Sequence, residues 1–213
     1  MRYFMLAAVG LTIGMANEPK VAHAVLITGV TASTNMGSGF GTNLQNTVNG
    51  VGLTSLSLTA NHAASIPMNS WVSTLRTLTG LVTFNLNGLY SLEGFSFWNQ
   101  NAGGPGALGS TGIRDVQVST SLDGVTFTSL AGGPTTFSRV TTAGGPPEIF
   151  GFGPVNAAFV RFNTLSNYGD NSQTGFAEAQ FNGTAVPEPS TFGMGLLGAL
   201  GVGYAWRRRR ETA

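Results

Sequence analysis

Hydrophobic and polar residues alternate with a period of two along several short segments of the chain. The clearest segment is the run Val82-Thr83-Phe84-Asn85-Leu86, and the same alternation recurs at 95–97, 115–118 and 159–163. Successive side chains of a β-strand point to opposite faces of a sheet. Each segment is therefore predicted to be a strand with one buried face.

Turn signals separate these segments. Asp123-Gly124 lies between 116–119 and a second short apolar run, 125–127, and it predicts a tight turn because glycine tolerates a positive φ. Stretches rich in Gly and Pro are predicted loops, at 102–109, 131–134 and 143–147. Long helical periodicity is missing from 25–185. We predict an all-β domain there, an antiparallel β-sandwich or jelly roll.

The two ends of the chain do not follow this pattern. Met1 and Arg2 form a short basic start, 3–16 is an uninterrupted uncharged stretch, and Ala22-His23-Ala24 has the form of an A-x-A cleavage site. These features predict a secretory signal peptide over 1–24, a signal helix that is removed after Ala24. Cleavage after Ala16 is a second possibility, because 17–20 is unusually polar.

The C-terminal segment 186–213 has three parts. Prolines at 187 and 189 predict an extended, accessible peptide. The uncharged run 191–206 would form a helix of roughly 24 Å, which is short for a hydrocarbon core of about 30 Å. Four arginines follow at 207–210 and favour the cytoplasmic side, so the domain before them is expected outside on a short transmembrane tether.

This order of parts resembles the PEP-CTERM sorting signal of Gram-negative bacteria that make extracellular polysaccharide. The motif residues are Val186, Pro187, Glu188 and Pro189. The resemblance implies that an exosortase, a membrane protease, reads the signal and cleaves near it. The protein would then be anchored in the inner membrane only transiently, before it reaches the cell surface or the extracellular matrix. A plain tail anchor would need no Pro-Glu-Pro.

Charge is sparse in the central domain, 25–185. It holds four arginines against six acidic residues, a balance of about −2, and it has no lysine. The positive balance of the whole chain therefore comes from its ends, and no basic patch for nucleic acid remains. The chain has no cysteine, which fits either a reducing compartment or a secreted fold that needs no disulfide, so this absence decides nothing alone.

The sequence gives little support for catalysis. It contains no cysteine nucleophile, no GxSxG elbow, no HExxH motif and no Walker loop. After removal of the signal peptide, His62 is the only histidine. No spacing among the carboxylates suggests a glycosidase pair. We predict that the protein is not an enzyme.

The order of short motifs along 25–183 is more specific than the fold class. It resembles the F5/8 type C, or discoidin-like, galactose-binding domain in the following runs: 46–53, 82–86, 97–101, 112–116, 121–127, 158–162 and 175–181. The resemblance implies a structural calcium ion, held by oxygen ligands. Asn49, Val51, Thr54 and Glu178 match the expected ligand positions. Asn49 departs from the usual aspartate, which removes a charge; the alternative is an Asn-Gly turn beside a strand glutamate.

The same resemblance implies that loops at one end of the sandwich bind sugar. The candidate ligand-binding residues are His62, Asn99, Arg114 and Tyr168, with Tyr168 expected to be the most exposed aromatic residue because its neighbours favour loops. Trp71 and Trp98 are also aromatic candidates, but we expect them in the core, since large aromatic residues dominate sandwich cores.

Two functions fit these features. The first is an exported, non-catalytic carbohydrate-binding module associated with extracellular polysaccharide, with a glycan as its partner. The second is a structural cell-surface or biofilm-matrix protein with no dedicated small ligand, which the low charge and the many Gly, Ser and Thr residues also suit.

Overall fold

The computed structural model describes residues 24–102 and 107–187. Its elements are β1 (Val25–Leu26), β2 (Thr31–Thr34), a 3-10 helix (Leu44–Thr47), β3 (Trp71–Val72), β4 (Gly80–Asn99), β5 (Val116–Ser121), β6 (Thr128–Ser129), β7 (Glu148–Thr164) and β8 (Gly175–Ala185). The predicted all-β class is confirmed.

All strand pairs are antiparallel, and their order is β1-β8-β4-β7-β5-β6, with β2 on β4 and β3 on β8. The long strands β4 and β7 belong to both layers of the sandwich. The first half of β4 pairs with β2 and the second half of β7, whereas its second half pairs with β8 and the first half of β7. The register shifts between Asn85 and Tyr90, where Asn87 has a positive φ of 58°.

This shift defines two ends of the domain. At the corner end, β4 and β7 pass from one layer to the other. At the open end, β4 finishes at Asn99, while β5 and β8 begin nearby. A bridge between Gly112 and Gly175 joins the segment before β5 to the first residue of β8. Loops from both layers therefore meet at the open end.

Phenylalanine rings fill the space between the layers. Phe84 lies 4.9 Å from Phe162 and 5.0 Å from Phe181, measured between ring centroids, and its side chain is fully buried. Phe97 stacks on Phe137 at 3.9 Å. Aromatic pairs in such geometry contribute about 0.5–1.5 kcal/mol each beyond the burial of their area. The core therefore joins the two layers without a disulfide.

Trp71 and Trp98 lie in the interior, as predicted. The indole N–H of Trp71 donates to the carbonyl oxygen of Gly37 at 2.9 Å, and that of Trp98 donates to Ala60 at 3.0 Å. Trp98 and Phe97 project from opposite faces of β4. The loop 49–65 covers that face, so the residues that alternate with the core phenylalanines are buried as well, including Ser96.

The turn predicted at Asp123 is present, and the next strand, β6, begins only at Thr128. Asp123 Oδ1 accepts the backbone N–H groups of Val125 and Thr126, each at 2.8 Å. Because the side chain occupies these donors, pairing with β5 resumes only at Thr128. The apolar run 125–127 is therefore not a strand, since the aspartate competes with the sheet for the backbone.

No helix within 24–102 or 107–187 is long and apolar enough to cross a membrane. The predicted signal helix, the Glu188-Pro189 part of the sorting motif and the predicted transmembrane helix lie outside the described residues.

Candidate functional site

A cleft of about 400 Å³ opens at the open end of the sandwich. We call it the open-end cleft. Its walls come from the loop between β2 and β3, the residue after β4, the segment before β5 and the segment before β8; the main lining residues are Phe40, Ser65, Ile66, Gln100, Thr111 and Gln173. Its volume lies within the usual range for small-molecule sites.

Phe40 forms an exposed aromatic rim of the cleft. Its side chain is 68% exposed, and it sits in a turn closed by the N–H of Thr42, which donates to the carbonyl oxygen of Gly39 at 2.9 Å. Phe40 has a φ of 50°, a left-handed conformation that costs a residue with a Cβ atom energy. The fold therefore holds an apolar ring in solvent at the mouth of a cleft.

The floor of the cleft is polar and incompletely hydrogen-bonded. Gln100 and Thr111 are buried, and neither Gln100 Oε1 nor Thr111 Oγ1 has a hydrogen-bond partner within the described part of the chain. Gln173 is also buried and donates from Nε2 to the carbonyl oxygen of Ser73 at 2.5 Å. An unpaired buried polar group costs about 1–3 kcal/mol, and both atoms are fully enclosed beneath the surface of the cleft.

No charged side chain is among the described residues that line the cleft. A ligand with a formal charge would therefore find no ion-pair partner there. An apolar rim over an uncharged polar floor suits a neutral molecule that has both C–H faces and hydroxyl groups.

Three of the predicted sugar-binding residues lie near one another beside the segment Phe137–Ser138. Asn99 donates to the carbonyl oxygen of Ser138 at 2.9 Å, and the hydroxyl group of Tyr168 donates to that of Phe137. Asn99 is buried, and its Oδ1 also accepts two backbone N–H groups, whereas Tyr168 is half-buried. Arg114 is exposed and pairs with Asp115 at 2.7 Å. None of the three lines the open-end cleft.

His62 lies elsewhere, in a bridge between two loops. Its backbone N–H and C=O exchange hydrogen bonds with Gly145, and its ring packs so closely on Gly52 that a Cβ atom there would approach Nε2 to 2.6 Å. Burial lowers the pKa of His62, while the carbonyl groups of Ala63, Asn69 and Val51 act in the opposite direction. The ring is enclosed, with Nε2 unpartnered among the described residues.

Residue patterns missed the cleft residues because three of the four carry common polar side chains. Gln100, Thr111 and Gln173 have no distinctive spacing, and only the fold brings them together. Phe40 did carry a signal: it is a lone aromatic residue in the run Gly37-Ser38-Gly39-Phe40-Gly41. A large ring between turn-forming residues is typical of an exposed position.

A separate feature lies on the outer face of β8, where Glu178 is fully buried. Its Oε1 accepts the N–H of Gly50 at 3.0 Å and a hydrogen bond from Gln180, whereas its Oε2 has no partner within the described residues. Burial raises the pKa of Glu178 to about 8, against the opposing effect of these two donors. This carboxyl group is therefore either protonated at neutral pH or neutralised by a cation.

The residues around Glu178 partly fit a calcium ion. The bond to Gly50 places the carboxylate against the turn that contains Asn49 and Val51, and a pocket of about 260 Å³ lies beside Asn49 and Gln180. However, Asn49 Oδ1 already accepts the N–H of Val51 at 2.9 Å. Within the described residues no three His, Cys, Asp or Glu side chains cluster, so other ligands would be carbonyl or hydroxyl oxygens, Thr54 among the candidates.

The C-terminal tail and the fold of the central domain both have counterparts among known proteins. Residues 185–210 match the family model of the PEP-CTERM protein-sorting motif. This motif indicates export and exosortase-dependent sorting in Gram-negative bacteria. A search of curated proteins finds no match to the chain.

Solved structures share the fold of the central domain. The module CBM32-1 from a family 31 glycoside hydrolase of Clostridium perfringens superposes with a TM-score of 0.52 at 14% identity, covering 73% of this chain and 95% of that one. CBM32-3 from a family 31 glycoside hydrolase of that organism gives a TM-score of 0.50 at 19% identity, with coverage of 76% and 95%.

A third match is CpGH89 from the same organism, solved in complex with its substrate GlcNAc-alpha-1,4-galactose. Its TM-score is 0.50 at 17% identity, and the match covers 77% of this chain but only 16% of the enzyme. The resemblance therefore concerns the binding-module part of such proteins and not a whole hydrolase. The chain carries a PEP-CTERM sorting motif after a domain with the fold of a family 32 carbohydrate-binding module.

Proposed function

We propose that the protein is an exported, non-catalytic carbohydrate-binding module that binds neutral glycan of the extracellular polysaccharide through its open-end cleft. The observation that carries this proposal is the exposed Phe40 ring at the mouth of a cleft whose lining is uncharged and includes the polar residues Ser65 and Gln173. A pyranose ring would pack its C–H face on Phe40 and hydrogen-bond to the floor through its hydroxyl groups.

A neutral glycan suits the cleft better than an acidic one. A uronate or sulfate group placed there would lose water without gaining a cationic partner, and burial of an unpaired charge is costly. The described lining offers only amide, hydroxyl and apolar groups. We expect galactose-type and other neutral hexoses to bind in preference to uronates.

A glycan array tests this proposal with the purified protein and two variants. Phe40→Ala removes the ring, and we expect it to weaken binding of neutral glycans at least about tenfold, because apolar contact with the sugar is lost. Leu89→Ala is the matched control, since it removes an exposed apolar side chain outside the cleft. If wild-type protein binds no glycan, a structural matrix role gains support instead.

We also propose that a calcium ion stabilises the loop 49–54 against β8, with Glu178 as its only carboxylate ligand. The unpartnered Oε2 of Glu178 and its contact with the Asn49–Val51 turn support this assignment. The ion would supply charge neutralisation and hold the loop. One carboxylate gives fewer charges than strong calcium sites carry, so the affinity should be modest.

The processing partner would be an exosortase-type membrane protease that reads the sorting motif. Before processing, the uncharged run 191–206 and the arginines after it would hold the protein at the inner membrane. Removal of this tail would release the binding domain to the cell surface or matrix.

A further inference from the structure

A second concavity lies at the corner end of the domain and is larger than the open-end cleft. It has a volume of about 720 Å³ and is bounded by the end of β5, the turn after it, β6 and the segment Gly153–Asn156 of β7. We call it the corner groove. The corner and open ends are opposite ends of the sandwich, so the two concavities face different directions.

Hydroxyl groups line the corner groove. Thr120 contributes from β5, and Thr126, Thr128 and Ser129 contribute from the turn and β6. Thr120 is only 7% exposed, yet its hydroxyl group is neither hydrogen-bonded nor among the fully enclosed unpartnered atoms of the described chain. This buried residue therefore presents an unused polar atom to the groove.

The edge of β7 adds backbone groups. Strand β5 pairs with β7 only from Phe159 to Thr164, and within the described residues no strand covers the same side of β7 at Gly153–Asn156. Unpaired N–H and C=O groups at a sheet edge are available to a ligand. The side chain of Asn156, which is exposed, lies at the same wall.

Asp123 is the only charged side chain among the described lining residues. The backbone N–H groups of Val125 and Thr126 and the hydroxyl of Ser121 lower the pKa of Asp123 to about 2, so it stays ionised at neutral pH. These donors all bind Oδ1, which leaves Oδ2 free to accept. A carboxylate repels anionic ligands and accepts hydrogen bonds from hydroxyl donors.

From these features we propose that the corner groove is a second glycan-binding site, selective for uncharged sugar chains, and that the domain is therefore bivalent. The proposal rests on the proposed function, since it takes glycan as the ligand class. Thr120 and Asp123 would bind sugar hydroxyl groups, and the exposed Leu122 would contact a C–H face. Two sites at opposite ends would let one molecule cross-link two polysaccharide strands.

Amide NMR titration of the purified protein separates the two sites. The probes are galactose, N-acetylgalactosamine, glucose and mannose, with galacturonate as the anionic counterpart of galactose. With neutral sugars we expect one set of amide shifts around Gln100 and Thr111 and a second set around Thr120 and Asp123. Galacturonate should cause no shifts in the second set. Thr120→Val removes one hydroxyl group at nearly constant volume and should weaken binding in the groove about fivefold while the cleft is unaffected.

This experiment can overturn the proposed groove site and the proposed cleft site independently of each other. Shifts in the cleft alone would overturn the second site and leave the proposed function in place. Shifts in the groove alone would support the second site and contradict the assignment of the cleft. No shifts with any neutral sugar would overturn both. Asp123→Asn is a second variant, which keeps the turn acceptor Oδ1 but loses the charge, and Thr31→Val on β2 is the control.

Discussion

The carboxyl group of Glu178 shows how strongly one residue depends on its surroundings. It is buried under the loop 49–65 and has one oxygen atom without a partner in the described chain. In a strand that alternates apolar and polar residues, a glutamate would normally lie on the face that is exposed to water. Here the covering loop removes that water, and the residue must gain a proton or a cation.

The raised pKa of Glu178 predicts a pH dependence of stability. Its value is about 8 in the folded protein against 4.5 for the free side chain, so folding takes up a proton between these values. Without calcium, the free energy of unfolding should fall as the pH rises through this window, by up to about 1.4 kcal/mol per pH unit. Urea denaturation in a chelator measures it. Glu178→Gln should remove this slope, whereas Glu93→Gln should keep it.

Calcium should favour the ionised form of the Glu178 carboxyl group, whereas burial favours the protonated form. The ion binds the carboxylate form, so adding calcium near neutral pH should raise the melting temperature and release about one proton. Calorimetry in two buffers of different ionisation enthalpy measures the number of protons released when calcium binds. An equal response of wild-type protein and Glu178→Gln, or no response of either, would contradict the proposed ligand role.

At the level of secondary structure, the long strands β4 and β7 determine the architecture. They tie the two layers together, and their bend separates the open end from the corner end. The short strand β3 is held in this frame by pairing with β8 at Trp71 and Val72. Close backbone approach is essential there, because a Cβ atom at Gly175 would lie 2.2 Å from the carbonyl oxygen of Trp71.

Gly175→Ala is therefore expected to destabilise the domain by about 1–3 kcal/mol, since the extra methyl group forces β3 away from β8. Gly151→Ala in β7 is a matched control, because a Cβ atom there meets nothing within 4 Å. Thermal or urea denaturation of both variants provides the comparison. Equal losses of stability would show that the β3–β8 contact is not the cause.

The strands were largely predictable because their alternation reflects burial on one face. Val82, Phe84 and Leu86 are all buried, as their period of two requires. The alternation was less informative at 95–98, where a loop covers the second face. The strand boundary after Asp123 was unpredictable in a different way, since a side chain competed for backbone donors.

At the scale of the whole molecule, the sorting signal was easier to predict from the sequence than the binding site. A sorting signal must be readable by another protein, so its features are contiguous, and residues 185–210 match the corresponding family model. The open-end cleft is assembled from Phe40, Gln100, Thr111 and Gln173, which are far apart in the chain. Only the sandwich topology brings these residues together.

Processing of the tail gives a prediction about the exported protein. Replacing Pro187 and Glu188 by alanine should block recognition by the exosortase, so the protein from the producing cell keeps its tail and stays in the membrane fraction. Thr191→Ala, outside the tetrapeptide 186–189, should be processed normally. Intact-mass measurement of each mature protein decides this. An unchanged mass for the motif variant would show that Pro187 and Glu188 are not read.

The most direct test of the open-end cleft as a glycan site is a binding measurement with neutral polysaccharide purified from cultures of the producing bacterium. Affinity is compared between wild-type protein and Phe40→Ala, which removes the exposed ring at the mouth of the open-end cleft. The proposed role of the cleft predicts that wild-type protein binds and that the variant binds about tenfold more weakly. Absence of binding by wild-type protein, or equal binding by both, would contradict it.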